Sequence, residues 1–179
     1  MREDIIFAGF GGQGIMFMGK AVSYTAMNEG KFVTWMPSYG AEVRGGTAHS
    51  MVIVSDSLIA SPVVRQPSIC VVMNKPSFDK FEGKVKEKGL LVINSSLVES
   101  QTKRKDIDVL KVPATDMAFK LGNPRVSNMI ILGALLATKD LLNPKSLVES
   151  LTEFIPKSHR DLLSINKEAI SQGYEYCSR

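Results

Sequence analysis

The pattern of apolar and polar positions at the start of the chain predicts a strand, a glycine turn, a helix and a second strand. A short apolar run within residues 4–9 is typical of a buried strand. Residues 15–29 place apolar side chains at helical spacing, and Gly30 favours the end of that helix. Residues 31–36 return to a strand-like pattern. Because this order is the opening unit of an α/β fold, we predict a three-layer α/β/α single domain over residues 1–179.

The strands that follow indicate a mixed, mostly parallel sheet. Residues 47–54 are rich in β-branched side chains, and residues 58–60 lie close enough in sequence to pair with them as a hairpin. Such a hairpin would add an antiparallel pair to the sheet. Short apolar runs at 69–73 and 90–94 predict buried strands, and the alternating run at 107–112 predicts an edge strand.

Helices are predicted over the remaining segments with helical periodicity. The segment 128–139 is the most apolar of them, so we expect it to be buried on most sides. The other predicted helices are 76–81, 115–121, 144–154 and 159–173.

Composition and charge exclude several classes of protein. Hydrophobic residues make up 44% of the chain, which is enough for a folded core. The longest apolar run, at 129–137, is far shorter than the roughly 20 residues of a membrane span. The net charge of +4 is too small to indicate nucleic-acid binding, and residues 1–4 lack the layout of a signal peptide. We therefore expect a cytoplasmic protein that binds neither nucleic acid nor membrane.

Few side chains are spaced for catalysis or metal binding. Cys70 and Cys177 are too few for an iron–sulfur cluster or a structural zinc. We expect Cys70 to be buried within its apolar run and Cys177 to be exposed. His49 and His159 have no nucleophile or acid at catalytic spacing around them. The sequence therefore predicts no metal site and no catalytic residues, and a chain that does not catalyse by itself.

Basic residues form two short clusters in the middle of the chain. One contains Lys84, Lys86 and Lys88, and the other is the run 103–105. They are typical of a solvated helix end and a polar loop, but they also fit a patch that steers an acidic partner towards the protein.

A glycine-rich turn follows the first strand. It contains Gly9, Gly11, Gly12, Gln13 and Gly14. Glycines let the backbone turn sharply and let a ligand approach it, and the helix start offers free N–H groups to a phosphate. A dinucleotide site also needs an acidic residue at the end of the second strand, and residues 32–37 have none. NAD or flavin binding is therefore disfavoured, which leaves a packing turn or a contact with a phosphate or a partner subunit.

A second loop, at residues 37–46, follows the second strand. In an open α/β sheet it would lie beside the glycine turn, at the carboxyl ends of the strands. Arg44 has the fork geometry to bind a phosphate or carboxylate, and a Glu42–Arg44 pair that holds the loop together is the alternative. The residues predicted to contact a partner are Tyr39, Glu42, Arg44, Gly45 and Gly46.

These segments together resemble the gamma subunit, or gamma domain, of 2-oxoacid:ferredoxin oxidoreductases. The resemblance covers nearly the whole chain and is most specific where the glycine turn and the loop occur together. The compact length and the Asn-Pro-Arg run are most similar to the 2-oxoglutarate and 2-oxoisovalerate types. The resemblance rests on residues 7–14, 37–46, 61–62, Pro67, 74–77, 121–129 and 132–134.

The resemblance implies a larger enzyme that oxidatively decarboxylates a 2-oxoacid with coenzyme A. Such an enzyme yields an acyl-CoA and CO2, and it passes electrons through iron–sulfur clusters to ferredoxin. Thiamine diphosphate and Mg would be held by alpha and beta subunits, and the clusters by a beta or delta subunit. This chain would bind no cofactor alone, and its partners would be those subunits and, through the complex, ferredoxin.

The role of this chain within such a complex is open, and we hypothesise two roles for the glycine turn and the 37–46 loop. They would form one surface that faces the partner subunits. In a more specific form of this hypothesis, Arg44 and the amides of residues 12–14 would contact coenzyme A phosphates. The alternatives are a non-catalytic interaction module with a degenerate glycine turn and, less favoured, an NAD- or flavin-binding domain.

Overall fold

A six-stranded sheet forms the centre of the molecule. The computed structural model describes residues 1–38, 47–155 and 161–178, without the side chains of residues 154 and 161. The strands lie in the order β2-β3-β1-β4-β5-β6. They are β1 (Arg2–Gly9), β2 (Phe32–Ser38), β3 (Ala48–Ser55), β4 (Ile69–Val72), β5 (Leu90–Asn94) and β6 (Asp108–Val112).

The sheet is mixed and mostly parallel, as predicted. Strands β1, β4, β5 and β6 are parallel neighbours, and β3 runs antiparallel to both β1 and β2. The antiparallel partner predicted for β3 was wrong, because residues 58–60 form no strand and Leu58 is 81% exposed. Strand β3 instead forms seven residue pairs with β2 and eight with β1. A three-residue run offers too few ladder hydrogen bonds to compete with these pairings.

Six helices lie within the described residues. They are α1 (Ile15–Asn28), α2 (Lys75–Phe81), α3 (Ala114–Lys120), α4 (Ser127–Thr138), α5 (Pro144–Phe154) and α6 (Asp161–Cys177). Every predicted helix is present. The one substantial difference is at the C-terminus, where α6 continues beyond the predicted end at Gly173 to Cys177.

The two faces of the sheet are covered very unequally. Alternate strand residues such as Phe7 and Val71 point to one face, which α1 and α3 to α6 cover; we call it the thick face. Their neighbours, such as Ile6 and Val72, point to the other face, where among the described residues only α2 and irregular segments pack; we call it the thin face. The three-layer α/β/α prediction is therefore confirmed, with one heavy and one light outer layer.

Helix α4 is the centre of the thick layer. Ten of its residues are buried, in agreement with the prediction of a helix buried on most sides. Its closest approach is to α6, where two glycines face the partner backbone. A Cβ on Gly133 would lie 2.0 Å from the carbonyl oxygen of Ile170, and one on Gly173 would lie 2.0 Å from that of Ile130. The two helices can therefore cross this closely only because both positions lack a side chain.

The cysteines and the apolar content agree only partly with the expectations. Cys70 is fully buried, as predicted, and burial raises the pKa of its thiol to about 12. Cys177 is half-buried rather than exposed, because α6 extends beyond Gly173 and packs it against the thick-face core. None of the described helices is long and apolar enough to cross a membrane.

Candidate functional site

The chain reverses its direction of travel across the sheet between β1 and β4. The connection from β1 passes through α1 on the thick face to β2 at one edge. The connection from β4 passes through α2 on the thin face to β5 on the other side. The carboxyl ends of β1 and β4 therefore border a crevice of the kind in which open α/β sheets bind ligands.

The glycine turn lies at the β1 side of this crevice. Gly9 ends β1 where there is no room for a side chain, since a Cβ there would lie 2.6 Å from Oε1 of Gln13 and 3.0 Å from Cβ of Met73. Gly14 adopts a left-handed conformation with φ of 72° and begins α1. Gly12 also has positive φ, 93°, and no described atom lies within 4 Å of the place its Cβ would occupy. The backbone at Gly12 is thus open to a ligand.

Gln13 holds the turn to the neighbouring strand. Its side-chain oxygen accepts a hydrogen bond from the backbone N–H of Phe10 at 2.7 Å. Its side-chain nitrogen donates to the carbonyl oxygen of Met73 at 3.1 Å. The backbone N–H of Gln13 donates to the carbonyl oxygen of Phe10 at 3.2 Å. The side chain and the backbone amide of Gln13 therefore make hydrogen bonds within the protein, and these bonds shape the turn.

Asn74 joins the two sides of the crevice. It follows β4, and its side-chain nitrogen donates to Oε1 of Gln13 at 3.1 Å. Its side-chain oxygen accepts from the backbone N–H of Ser77 at 2.9 Å, so that Asn74 also caps the start of α2. The side chain is almost fully buried. One amide thus fixes the glycine turn and helix α2 relative to each other.

Two further buried asparagines continue this row along the carboxyl edge of the sheet. Asn128, on α4, donates to the carbonyl oxygen of Gly14 at 3.5 Å, and a Cβ on Gly14 would lie 2.1 Å from its Nδ2. Asn94, at the end of β5, donates to Oγ1 of Thr115 at 2.9 Å. The start of α1 is therefore held between β1 and α4, and the start of α3 is held to β5.

The crevice carries the features of an anion site. Within the described residues the first turn of α1 has no side-chain cap, and the positive end of its dipole lies beside the open backbone of Gly12. At the β4 side, Lys75 lies directly after Asn74, and its ammonium is paired with Asp79 at 2.8 Å on the surface of α2. This arrangement has the chemistry to bind a phosphate group.

The sequence-predicted site residues are distributed in two ways. Gly9, Gly11, Gly12, Gln13 and Gly14 lie together at the carboxyl end of β1. Tyr39, Glu42, Arg44, Gly45 and Gly46 lie outside the described residues. The strands on either side of that loop end next to the turn, because Ala48 pairs with Gly9 and Ser38 pairs with His49.

Sequence reasoning missed the structural roles of the buried asparagines. Asn74 and Asn128 occur within the segments that carry the resemblance, but no role was predicted for them. None was predicted for Asn94 either. One signal was available. Asn74 is followed by Pro76 and Ser77 at the start of a predicted helix, which is typical of an N-cap.

Comparison with known proteins identifies the family. The sequence model of the family described as pyruvate ferredoxin/flavodoxin oxidoreductase matches residues 4–176. The 2-oxoglutarate synthase subunit KorC of Methanocaldococcus jannaschii is 34% identical over 98% of this chain and 94% of its own length. The ketoisovalerate oxidoreductase subunit VorA of Methanothermobacter marburgensis is 37% identical over 73% of this chain, but this match spans only 27% of VorA.

A solved structure agrees with this assignment. The gamma subunit of a keto/oxoacid ferredoxin oxidoreductase from Geobacter sulfurreducens superimposes with a TM-score of 0.84 at 25% identity, and 98% of each chain is covered. The chain therefore belongs to the pyruvate ferredoxin/flavodoxin oxidoreductase family, among the gamma subunits of 2-oxoacid:ferredoxin oxidoreductases.

Proposed function

We propose that this chain is the gamma subunit of an enzyme that oxidises 2-oxoglutarate, in which it works with alpha and beta subunits. The choice of substrate rests on which named relatives match this chain at high identity over most of their own length. The relatives that are at least 30% identical and match over most of their own length are named 2-oxoglutarate synthase subunit KorC. The pyruvate synthase subunit PorC is matched at 29% identity. Ketoisovalerate and pyruvate are the competing substrates.

In this proposal the chemistry of the complete enzyme takes place in other subunits. The 2-oxoacid loses CO2, its acyl carbon is transferred to the thiol of coenzyme A, and the two electrons released pass through iron–sulfur clusters to ferredoxin. Thiamine diphosphate, Mg and the clusters belong to the partner subunits. Within the described part of this chain, no group of three or more His, Cys, Asp or Glu side chains lies together as a metal-ligand cluster.

The contribution of this chain is to bind a phosphate group of coenzyme A in the crevice between β1 and β4. The open backbone at Gly12 and the first turn of α1 would donate hydrogen bonds to it. In this proposal Gln13 and Asn74 hold the turn in shape through the 3.1 Å bond between their side chains. Arg44 would supply a positive charge in addition to Lys75, whose ammonium is already paired with Asp79.

Reconstitution tests the proposal as a whole. The chain is co-expressed with the alpha and beta subunits, and coenzyme-A-dependent reduction of a viologen dye is measured with 2-oxoglutarate, 2-oxoisovalerate and pyruvate. We expect activity that requires this chain and is highest with 2-oxoglutarate. Activity that is highest with another acid would change the substrate. A chain that neither co-purifies with the subunits nor alters the rate would leave the interaction-module alternative.

A matched pair of arginine variants tests the coenzyme A contact. Loss of a charge-assisted hydrogen bond costs about 1.5–3 kcal/mol, so Arg44→Ala should raise the KM for coenzyme A by about ten-fold or more. The control is Arg2→Ala, since Arg2 begins β1 at the end away from Gly9, and we expect its KM to be unchanged. An unchanged KM in Arg44→Ala would remove the phosphate contact from the proposal, whereas the subunit assignment would stand.

A further inference from the structure

A hollow on the thin face of the sheet has no role in the site described above. It lies against β1 and β3, between the segment 63–66 and the end of α2, and its volume is about 550 Å³. Its floor is apolar, since Ile6, Met51 and Phe81 line it. We call it the thin-face hollow, and its lining residues are Ile6, His49, Met51, Val63, Val64, Arg65, Gln66, Lys80, Phe81, Gly83 and Lys84.

The charged side chains of the thin-face hollow all carry the same sign. Arg65, Lys80 and Lys84 line it, and none of the described lining residues is Asp or Glu. The ammonium groups of Lys80 and Lys84 lie 5.6 and 5.2 Å from the centre of the Phe81 ring. Lys80 also donates a hydrogen bond to Oγ1 of Thr47 at 2.9 Å. The hollow thus combines an aromatic floor with a rim of positive charge, which attracts carboxylates.

A second basic segment is tethered next to the end of α2. Arg104 donates to the carbonyl oxygen of Val85 at 2.5 Å and to that of Glu82 at 3.4 Å, directly after α2. Its guanidinium is also paired with Asp106, so Arg104 acts here as a tether. Arg104 thereby holds the segment with the exposed Lys103 and Lys105 next to the segment that carries Lys84. The two basic segments that are separate in the sequence are therefore neighbours, and the acidic Asp106, Glu82 and Glu87 also lie close enough to act on Arg104.

We propose that the thin-face hollow docks an acidic segment of another subunit of the same enzyme. This inference rests on the proposed function, because it needs the partner subunits. An apolar side chain of that segment would enter the hollow above Phe81, while its carboxylates would pair with Arg65 and Lys84. A protein segment fits better than a small anion, because the hollow combines an apolar floor with cationic side chains and also includes the apolar Val63, which is 48% exposed.

Charge reversal with a matched control tests the docking. The test variant is Arg65→Glu with Lys84→Glu, and the control is Lys145→Glu with Lys167→Glu. The control residues are exposed and lie on α5 and α6, on the thick side, so both variants change the net charge equally. We expect the test variant to bind the co-expressed alpha and beta subunits about ten-fold more weakly or worse, because each lost pair becomes a like-charge repulsion. The control should bind as the wild type does.

Zero-length crosslinking identifies the chemistry of the partner in the assembled enzyme. A carbodiimide joins a lysine amine only to a carboxylate in direct contact, so the docking predicts crosslinks from Lys80 or Lys84 to Asp or Glu of another subunit. Lys145 and Lys167 should give none. If the test variant assembles normally, or if the crosslinks arise from Lys145 and Lys167 instead, the docking is overturned while the subunit assignment stands. If the wild-type chain does not assemble at all, both proposals fail.

Discussion

The thick and thin faces of the sheet use the same strands for different purposes. On the thick face, five helices bury side chains in one large cluster, and α4 and α6 touch backbone to backbone. On the thin face, one short helix and irregular segments cover a smaller cluster and leave the cationic hollow open. The helices of the thick face supply the bulk of the core, so the thin face is free to carry a surface for other molecules. The crevice with the glycine turn lies where the two faces meet.

The largest effect is expected at the glycine crossing of the thick face. A Cβ at position 133 would lie 2.0 Å from a backbone carbonyl oxygen, and backbone cannot move aside as a side chain can. We expect Gly133→Ala to lower the free energy of unfolding by about 3 kcal/mol, despite the higher helix propensity of alanine. Urea denaturation followed by circular dichroism measures this.

A glycine on the thin side provides the control for that substitution. No described atom lies within 4 Å of a Cβ built on Gly83. Gly83→Ala should therefore change the free energy of unfolding by less than about 0.5 kcal/mol. Equal effects at the two positions would contradict the claim that the close helix crossing, and not the loss of a glycine, determines the cost.

Two neighbouring valines of β4 compare the faces directly. Val71 and Val72 are both fully buried, and they point to the thick and the thin cluster respectively. The cavity left by a valine truncation collapses more easily under irregular segments than under packed helices. We expect Val71→Ala to cost about 2–3 kcal/mol and Val72→Ala about 1 kcal/mol, measured by urea denaturation. A larger cost for Val72→Ala would show that the thin face is the tighter one.

The sequence predicted the fold better than it predicted the site. Periodicity located the six strands and the six α-helices of the described residues, because these depend on local apolar patterns. It paired residues 58–60 with β3 wrongly, since which strands pair depends on long-range competition. It found the glycine turn from its residues but did not assign Gln13 or Asn74 their bracing roles, because the 3.1 Å contact between them joins residues 61 positions apart. Likewise, Gly173 was predicted to end a helix, because its contact with α4 depends on the tertiary structure.

The next largest effect concerns the asparagine that joins the faces at the crevice. Asn74→Ala removes both the cap of α2 and the bond to Gln13, and it leaves the partly buried side-chain oxygen of Gln13 with one partner fewer. We expect a loss of about 1–2 kcal/mol in the free energy of unfolding. The matched control is Asn143→Ala, which removes only the exposed cap of α5 and should cost about 0.5–1 kcal/mol. If Asn143→Ala costs more, the bracing role of Asn74 is wrong.

Thiol labelling measures how readily the thin face opens. Burial raises the pKa of Cys70 to about 12, so at pH 8 only about one thiol in ten thousand is the reactive thiolate. Cys177 is half-buried near the end of α6. We expect iodoacetamide to modify Cys177 first and Cys70 only after the protein unfolds. Mass spectrometry measures the modification of each cysteine. If Cys70 is modified at a rate comparable to that of Cys177, the thin layer opens locally in the native state.

The smallest effect is expected at the end of the sheet away from the crevice, where neither face is involved. Lys31 lies 2.5 Å from Asp56, and this contact is the largest cause that lowers the pKa of Asp56 to about 2. Because the folded state favours the carboxylate, the stabilisation is present above the ordinary pKa, near 4, and is lost as the pH falls towards 2. The melting temperature of Asp56→Asn should therefore lie slightly below that of the wild type at pH 6, and the difference should vanish as the pH approaches 2. Since Asp56 is exposed and Lys31 is partly exposed, solvent screens the pair, and the difference should also shrink in high salt. A difference that grows on acidification would show that the pair does not hold the ends of β2 and β3 together.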